Sequence, residues 1–283
     1  MININREMKK NITDLIENNS NIITEVKNEL IECVCLILNK FPVCYNNFIC
    51  NLASLTVIYN NDKVLEEINT GSSYDSETNT LMLNEIILKG KYGKNLLTHK
   101  LLHIASFDGK NLGFIDLKAK CGLSLNDGVT EYLARLILKD FKCGITCYNN
   151  DINNVILLST IVCFDDIIEC YFKGGLVRLF SKYINKVGES NLRKLIVNMD
   201  ADYVNRIRKK ESSMFKDEYI KLFVEDVTKL QFNDRSQATS TIKAIDSFIK
   251  SQYPERIDNS LQKFLEAAKD KICAKTEYNT IVV

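Results

Sequence analysis

The chain has 283 residues, 46% of them hydrophobic and 26% charged, with 37 basic against 36 acidic side chains and a net charge of +1. That length suits one large domain or two modest ones with a buried core, and the balanced charge argues against nucleic acid or an anionic membrane surface as partner. No apolar run reaches the roughly 18 residues of a membrane span and the N-terminus lacks the apolar core of a signal peptide, so a soluble, cytoplasmic protein is expected.

Residues 4 to 17 carry Ile4, Met8, Ile12, Leu15 and Ile16 at helical spacing, and residues 21 to 40 repeat the pattern with Ile23, Val26, Leu30, Ile31, Val34 and Leu38. Ser20 is the expected N-cap of the second helix, and Pro42 ends it. The texture then changes. Leu55 to Tyr59 is β-branched and bounded by Asn60-Asn61, while Ser72 to Tyr74 and Thr80 to Leu83 flank the turn-rich stretch Asp75 to Asn79, which predicts a small sheet containing a hairpin. A helix follows from Asn95, with Leu97, Leu101 and Ile104 on one side. After a Gly-containing segment another begins near Asn126, with Val129, Leu133, Leu136 and Ile137 inward.

Beyond about residue 150 the sequence reads as helix after helix, divided by turn signals at Lys173-Gly174-Gly175, Gly188, Asp200 and Phe232-Asn233-Asp234. Only two prolines, Pro42 and Pro254, and 11 glycines interrupt the chain, which favours long helices over a many-turned β fold. The expected class is α+β, with the sheet before about residue 145 and an all-α part after it. The ten cysteines show no disulfide-scaffold spacing and read as reduced thiols. Neither Cys33-x-Cys35 nor Cys143-x-x-x-Cys147 has the second ligand pair of a structural zinc site.

The two histidines of the chain, His99 and His103, stand four apart on one predicted helix, a separation that two randomly placed residues reach with a chance on the order of one in a hundred. Spacing i to i+4 turns two imidazoles toward one point, as two metal ligands require. Further along, Leu125-Asn126-Asp127-Gly128-Val129-Thr130-Glu131 places Asp127 and Glu131 on one face of the next helix. Asp127 also suits a helix N-terminus, and Glu131 an i,i+4 pair with Arg135.

This constellation resembles the gluzincin group of zinc metallopeptidases, whose motif is His-Glu-x-x-His followed about twenty residues later by Asn-Glu, often as Leu-Asn-Glu-Gly. The resemblance covers roughly residues 50 to 140 and implies a zincin-like domain over 1–145, with N-terminal helices, a small sheet, an active-site helix and a ligand helix. A helical domain over 146–283 would then close the cleft, and a peptide or protein would be the ligand bound there. By resemblance, Zn2+ is held by His99, His103 and Asp127, with Glu131 either orienting His99 from behind or serving as the third ligand itself.

Lys100 stands where the family keeps its general-base glutamate, and a protonated lysine cannot accept a proton from water. It also sets a cation beside a dication, a repulsion of roughly 8 kcal/mol at ~4 Å and an effective dielectric of about 20, so zinc is expected to bind weakly or not at all. With no third histidine, a transition-state stabiliser would have to be a tyrosine or arginine, and Tyr171 is named as the candidate. The resemblance thus implies a catalytically impaired metallopeptidase relative. The alternatives are an active zinc peptidase with an unconventional base and a non-catalytic peptide- or protein-binding module.

Overall fold

The computed structural model describes residues 6–60, 72–139, 148–209, 213–253 and 257–279. Ile4, Asn61, Cys143, Cys147 and Pro254 lie outside them. The chain opens with α1 (Arg6–Asn18), α2 (Thr24–Lys40) and, after a 3-10 turn at Pro42–Cys44, α3 (Tyr45–Ala53). Ile12 and Ile16 of α1 and Val26, Leu30, Val34 and Leu38 of α2 are the buried members of the predicted stripes, and Cys33 and Ile37 of α2 are buried beside them. Ser20 does not cap α2. The helix starts at Thr24 behind an extended Ile23, and no side chain caps it. The neighbouring Asn19 secures the α1–α2 junction instead, its amide donating to the carbonyls of Leu52 at 3.2 Å and Leu55 at 3.0 Å.

Three strands follow: β1 (Thr56–Asn60), β2 (Ser72–Asp75) and β3 (Thr80–Asn84), in the order β1-β3-β2. The predicted hairpin is β2–β3, antiparallel with Ser73 opposite Met82, while β1 runs parallel to β3 with Ile58 opposite Met82. Asp75 shapes the turn by accepting from the Glu77 N–H at 2.9 Å and the Thr78 hydroxyl at 2.8 Å. Asn79 takes the left-handed conformation that closes the turn, and its amide donates to the Asn51 carbonyl at 2.7 Å, tying the hairpin to α3.

The short α4 (Glu85–Leu88) leads to α5 (Gly93–Ser106), and a two-strand ribbon, β4 (Asn111–Leu112) and β5 (Ile115–Asp116), returns the chain to α6 (Leu123–Leu138). Seven more helices complete the described residues: α7 (Asn149–Leu158), α8 (Phe164–Phe172), α9 (Gly175–Val187), α10 (Leu192–Ile207), α11 (Ser213–Lys229), α12 (Arg235–Gln252) and α13 (Asn259–Asn279). The result is a mostly helical α+β fold with one small sheet. Asp200 departs from expectation: it is no turn residue but sits inside α10.

One apolar core runs from Ile12 in α1 to Ile272 in α13, and α6 packs at its middle against α5, α7 and α10. Gly128 allows the approach to α7. A Cβ there would stand 2.3 Å from the Asp151 carbonyl oxygen of α7, so only glycine lets the two backbones meet. Among the described residues no single helix is long and apolar enough to cross a membrane. The eight cysteines described are all free thiols.

Candidate metal centre

The sequence pattern gives α5 one apolar face and one face for its histidines. The structure buries it nearly all round: Leu97, Leu101, Leu102, Ile104 and Ala105 enter the core, and Asn95, Thr98, His99, His103 and Ser106 are buried as well. Lys100 is half-buried. The C-terminal carbonyls of α5 are closed off by Asn51, whose amide donates to Ile104 at 2.7 Å and Phe107 at 2.9 Å. Imidazoles that cannot reach water need protein partners, and α6 supplies them.

Glu131 accepts from the His99 Nδ1–H at 3.0 Å through one carboxylate oxygen and from Arg135 Nε at 2.8 Å through the other. This fixes the His99 tautomer and leaves its Nε2 with a lone pair, 3.1 Å from Nε2 of His103. On the far side of His103 stands Asn126. Its side-chain oxygen accepts from the Phe114 N–H at 3.0 Å, which turns its amide nitrogen toward His103 Nδ1 at 3.2 Å. In this arrangement neutral His103 carries its proton on Nε2 and directs it toward His99 Nε2 and toward Asp127 Oδ1, 3.5 Å away. Each residue of Leu125-Asn126-Asp127-Gly128 thus has a separate job: core, His103 partner, acid at the site, and helix contact.

The ligand atoms of His99, His103 and Asp127 all lie within 4.8 Å of one another, so the group can hold a metal ion. An ion bonded at about 2.0–2.1 Å in a tetrahedral site spaces its donors about 3.3 Å apart, and the observed 3.1 and 3.5 Å bracket that value. Two imidazoles and one carboxylate oxygen leave a fourth position open. The donor set fits, with one adjustment: His103 must move its proton from Nε2 to Nδ1, and Asn126 must turn its amide to accept it, releasing Phe114. That rearrangement opposes metal binding in addition to the charge on Lys100.

Burial holds both imidazoles well below the usual histidine range, with Lys100 and Arg135 adding to the effect at His99, and His99 and Lys100 adding to it at His103. Both are neutral at pH 7 and can offer lone pairs. Burial raises the Asp127 carboxyl, against the opposing influence of Lys100 and the hydrogen bonds from Tyr203 and Asn126. Lys100 therefore acts electrostatically on every member of the triad. Tyr148 stacks on the His99 ring at 5.0 Å between centroids.

A second layer comes from α10, which local patterning does not reveal. Asp200 accepts from the Gly122 N–H at 2.6 Å and the Ser124 N–H at 3.0 Å, capping α6 from another helix; burial pushes its carboxyl up to about 6. Tyr203 donates to Asp127 Oδ2 at 2.5 Å. Arg206 pairs with the buried Asp151 at 2.7 Å, which also accepts from Ser124 Oγ at 2.7 Å. Asp200, Tyr203 and Arg206 recur every three residues of α10, a spacing that places them on one side of the helix without indicating what that side meets. Tyr171 is placed elsewhere, buried on α8 against α5 and α6, its hydroxyl 2.7 Å from Thr130 Oγ1 and donating to the Leu102 carbonyl at 3.3 Å. The hydroxyl that reaches the triad is that of Tyr203.

Compared with family models, curated proteins and solved structures, the chain matches none.

Proposed function

We propose that the chain is a zincin-like protein that binds Zn2+ weakly through His99, His103 and Asp127, against the charge of Lys100, and has lost peptide hydrolysis through that lysine. The observation that carries this reading is the meeting of His99 and His103 with a carboxylate from the next helix, with Glu131 bonded to His99 from behind. Glu131 has one oxygen on His99 and the other on Arg135, which supports Asp127 as the third ligand. Zinc, when bound, supplies a Lewis acid at the open position. Glu131 holds the His99 tautomer, Asn126 governs the His103 proton, and Lys100 offers a charge where proton abstraction needs a base. The protein then binds a peptide or protein ligand without cutting it, with residues 146–283 as the helical unit that closes over the site. Free thiols among the described residues favour a reducing compartment such as the cytoplasm.

The test compares the parent chain, Lys100→Glu and Lys100→Glu with His103→Ala on a mixed peptide library, with and without added zinc. The parent is expected to be silent and Lys100→Glu to gain about a hundred- to ten-thousand-fold, with the gain abolished by His103→Ala. Activity in the parent that disappears in Lys100→Glu overturns the proposal in favour of a lysine-based hydrolase.

A further inference from the structure

We infer that Tyr203 is a positioning residue for the metal: it makes Asp127 a one-oxygen ligand, so that α10 completes the centre that α5 and α6 begin. The inference rests on the reading of His99, His103 and Asp127 as metal ligands and adds what determines the kind of ion they accept. The two oxygens of Asp127 have separate partners. Oδ1 faces His103 Nε2 at 3.5 Å, and Oδ2 takes the Tyr203 hydroxyl at 2.5 Å. A carboxylate whose second oxygen is held by a hydrogen-bond donor offers the ion one oxygen. Two nitrogens and one oxygen then make the small, four-coordinate environment suited to Zn2+ or Co2+ rather than the oxygen-rich shell that Ca2+ or Mg2+ requires.

The hydroxyl is delivered by a rigid arm. The Arg206 guanidinium lies over the Tyr203 ring, 5.7 Å from its centroid, and is itself held by Asp151 at 2.7 Å and Asp202 at 2.9 Å. One turn before Tyr203, Asp200 grips the N–H groups of Gly122 and Ser124, at the start of the helix that carries Asp127. The donor and the carboxylate it holds are thereby registered to each other through two points of α10. Aspartate is one methylene shorter than glutamate, so its oxygens have less room to reorient, and the tyrosine removes what freedom remains.

The test is Co2+ titration of the metal-stripped parent, Tyr203→Phe and His103→Ala, followed by visible absorption, with chelator competition for Zn2+ and urea unfolding of the metal-free proteins alongside. The parent is expected to show the intense bands of four-coordinate Co2+. Tyr203→Phe should bind about 10- to 100-fold more weakly, with weaker bands as the freed oxygen raises the coordination number. A Tyr203→Phe protein with the parent's spectrum and affinity overturns the inference while leaving the metal site standing, and so does one changed only in urea stability. If parent and His103→Ala alike fail to bind Co2+, the metal reading itself fails and the inference falls with it.

Discussion

Helices α5 and α9 are nearly equal in length and obey different rules. α9 buries Leu176, Leu179, Tyr183 and Val187 at three- and four-residue intervals and leaves Val177 76% exposed, so its sequence pattern is its packing. α5 buries apolar and polar residues alike around most of its circumference, and no stripe describes it. A helix stabilised by burying one apolar stripe needs little beyond shape from its neighbours. A helix that carries two imidazoles into the interior needs particular atoms at particular places, and Glu131, Asn126 and Asp127 supply them.

The strongest challenge to this contrast is Glu131→Leu. It removes the acceptor for His99 and strips the buried Arg135 of its carboxylate, so metal-free stability should fall by about 3–5 kcal/mol in urea denaturation. Metal affinity should fall with it, because the tautomer of His99 is no longer fixed. The counterpart on α9 is Leu179→Ala, expected to cost about 3 kcal/mol through the cavity it leaves and to leave Co2+ affinity unchanged. If Leu179→Ala moves the metal affinity, the two helices are not independent and the contrast fails.

The smallest expected effect is the most selective. His99 and His103 are held neutral in the fold, whereas in the unfolded chain they take up protons below about pH 6.5. Their contribution to stability is full above that pH and is lost as pH falls toward their lowered values. Asp151 and Asp200, each pushed up to about 6, act in the opposite sense: the fold takes up their protons before the unfolded chain does, so their contribution rises as pH falls through 6. Comparing the metal-free parent with a His99→Gln, His103→Gln double variant at pH 7.5 and 5.5 cancels Asp151 and Asp200, whose partners are on other residues. The parent should lose stability relative to the variant at the lower pH, while the cost of Leu179→Ala should be the same at both.

The same contrast explains how much the sequence could disclose. The bounds of α9 were legible because Gly174-Gly175 and Gly188 frame an amphipathic run, and the β2–β3 hairpin because Asp75 to Asn79 is turn chemistry at short range. His99, His103, Asp127 and Glu131 were legible because each pair lies within one helix at four-residue spacing. The parallel pairing of β1 with β3, the capping of α6 by Asp200 and the hold of Tyr203 on Asp127 were not. Those contacts join residues far apart in the chain, and hydrophobic periodicity carries no information about which distant helix face will arrive. Asp200 was misread as a turn for that reason: a carboxylate inside a helix looks like an interruption until its acceptor role on another helix is seen.

The grip of Tyr203 on Asp127 also imposes an order in time. The two residues are 76 positions apart, so a ribosome adding about 5–20 residues per second emits the tyrosine roughly 4 to 15 s after the aspartate. During that interval α5 has preceded Asp127 and the rest of α6 follows it, with the N-terminus of α6 awaiting Asp200 and Asp127 awaiting Tyr203. The nascent chain thus passes through a stage at which His99, His103 and Asp127 are present while Asp127 Oδ2 lacks the Tyr203 hydroxyl, and that stage ends when α10 emerges and docks.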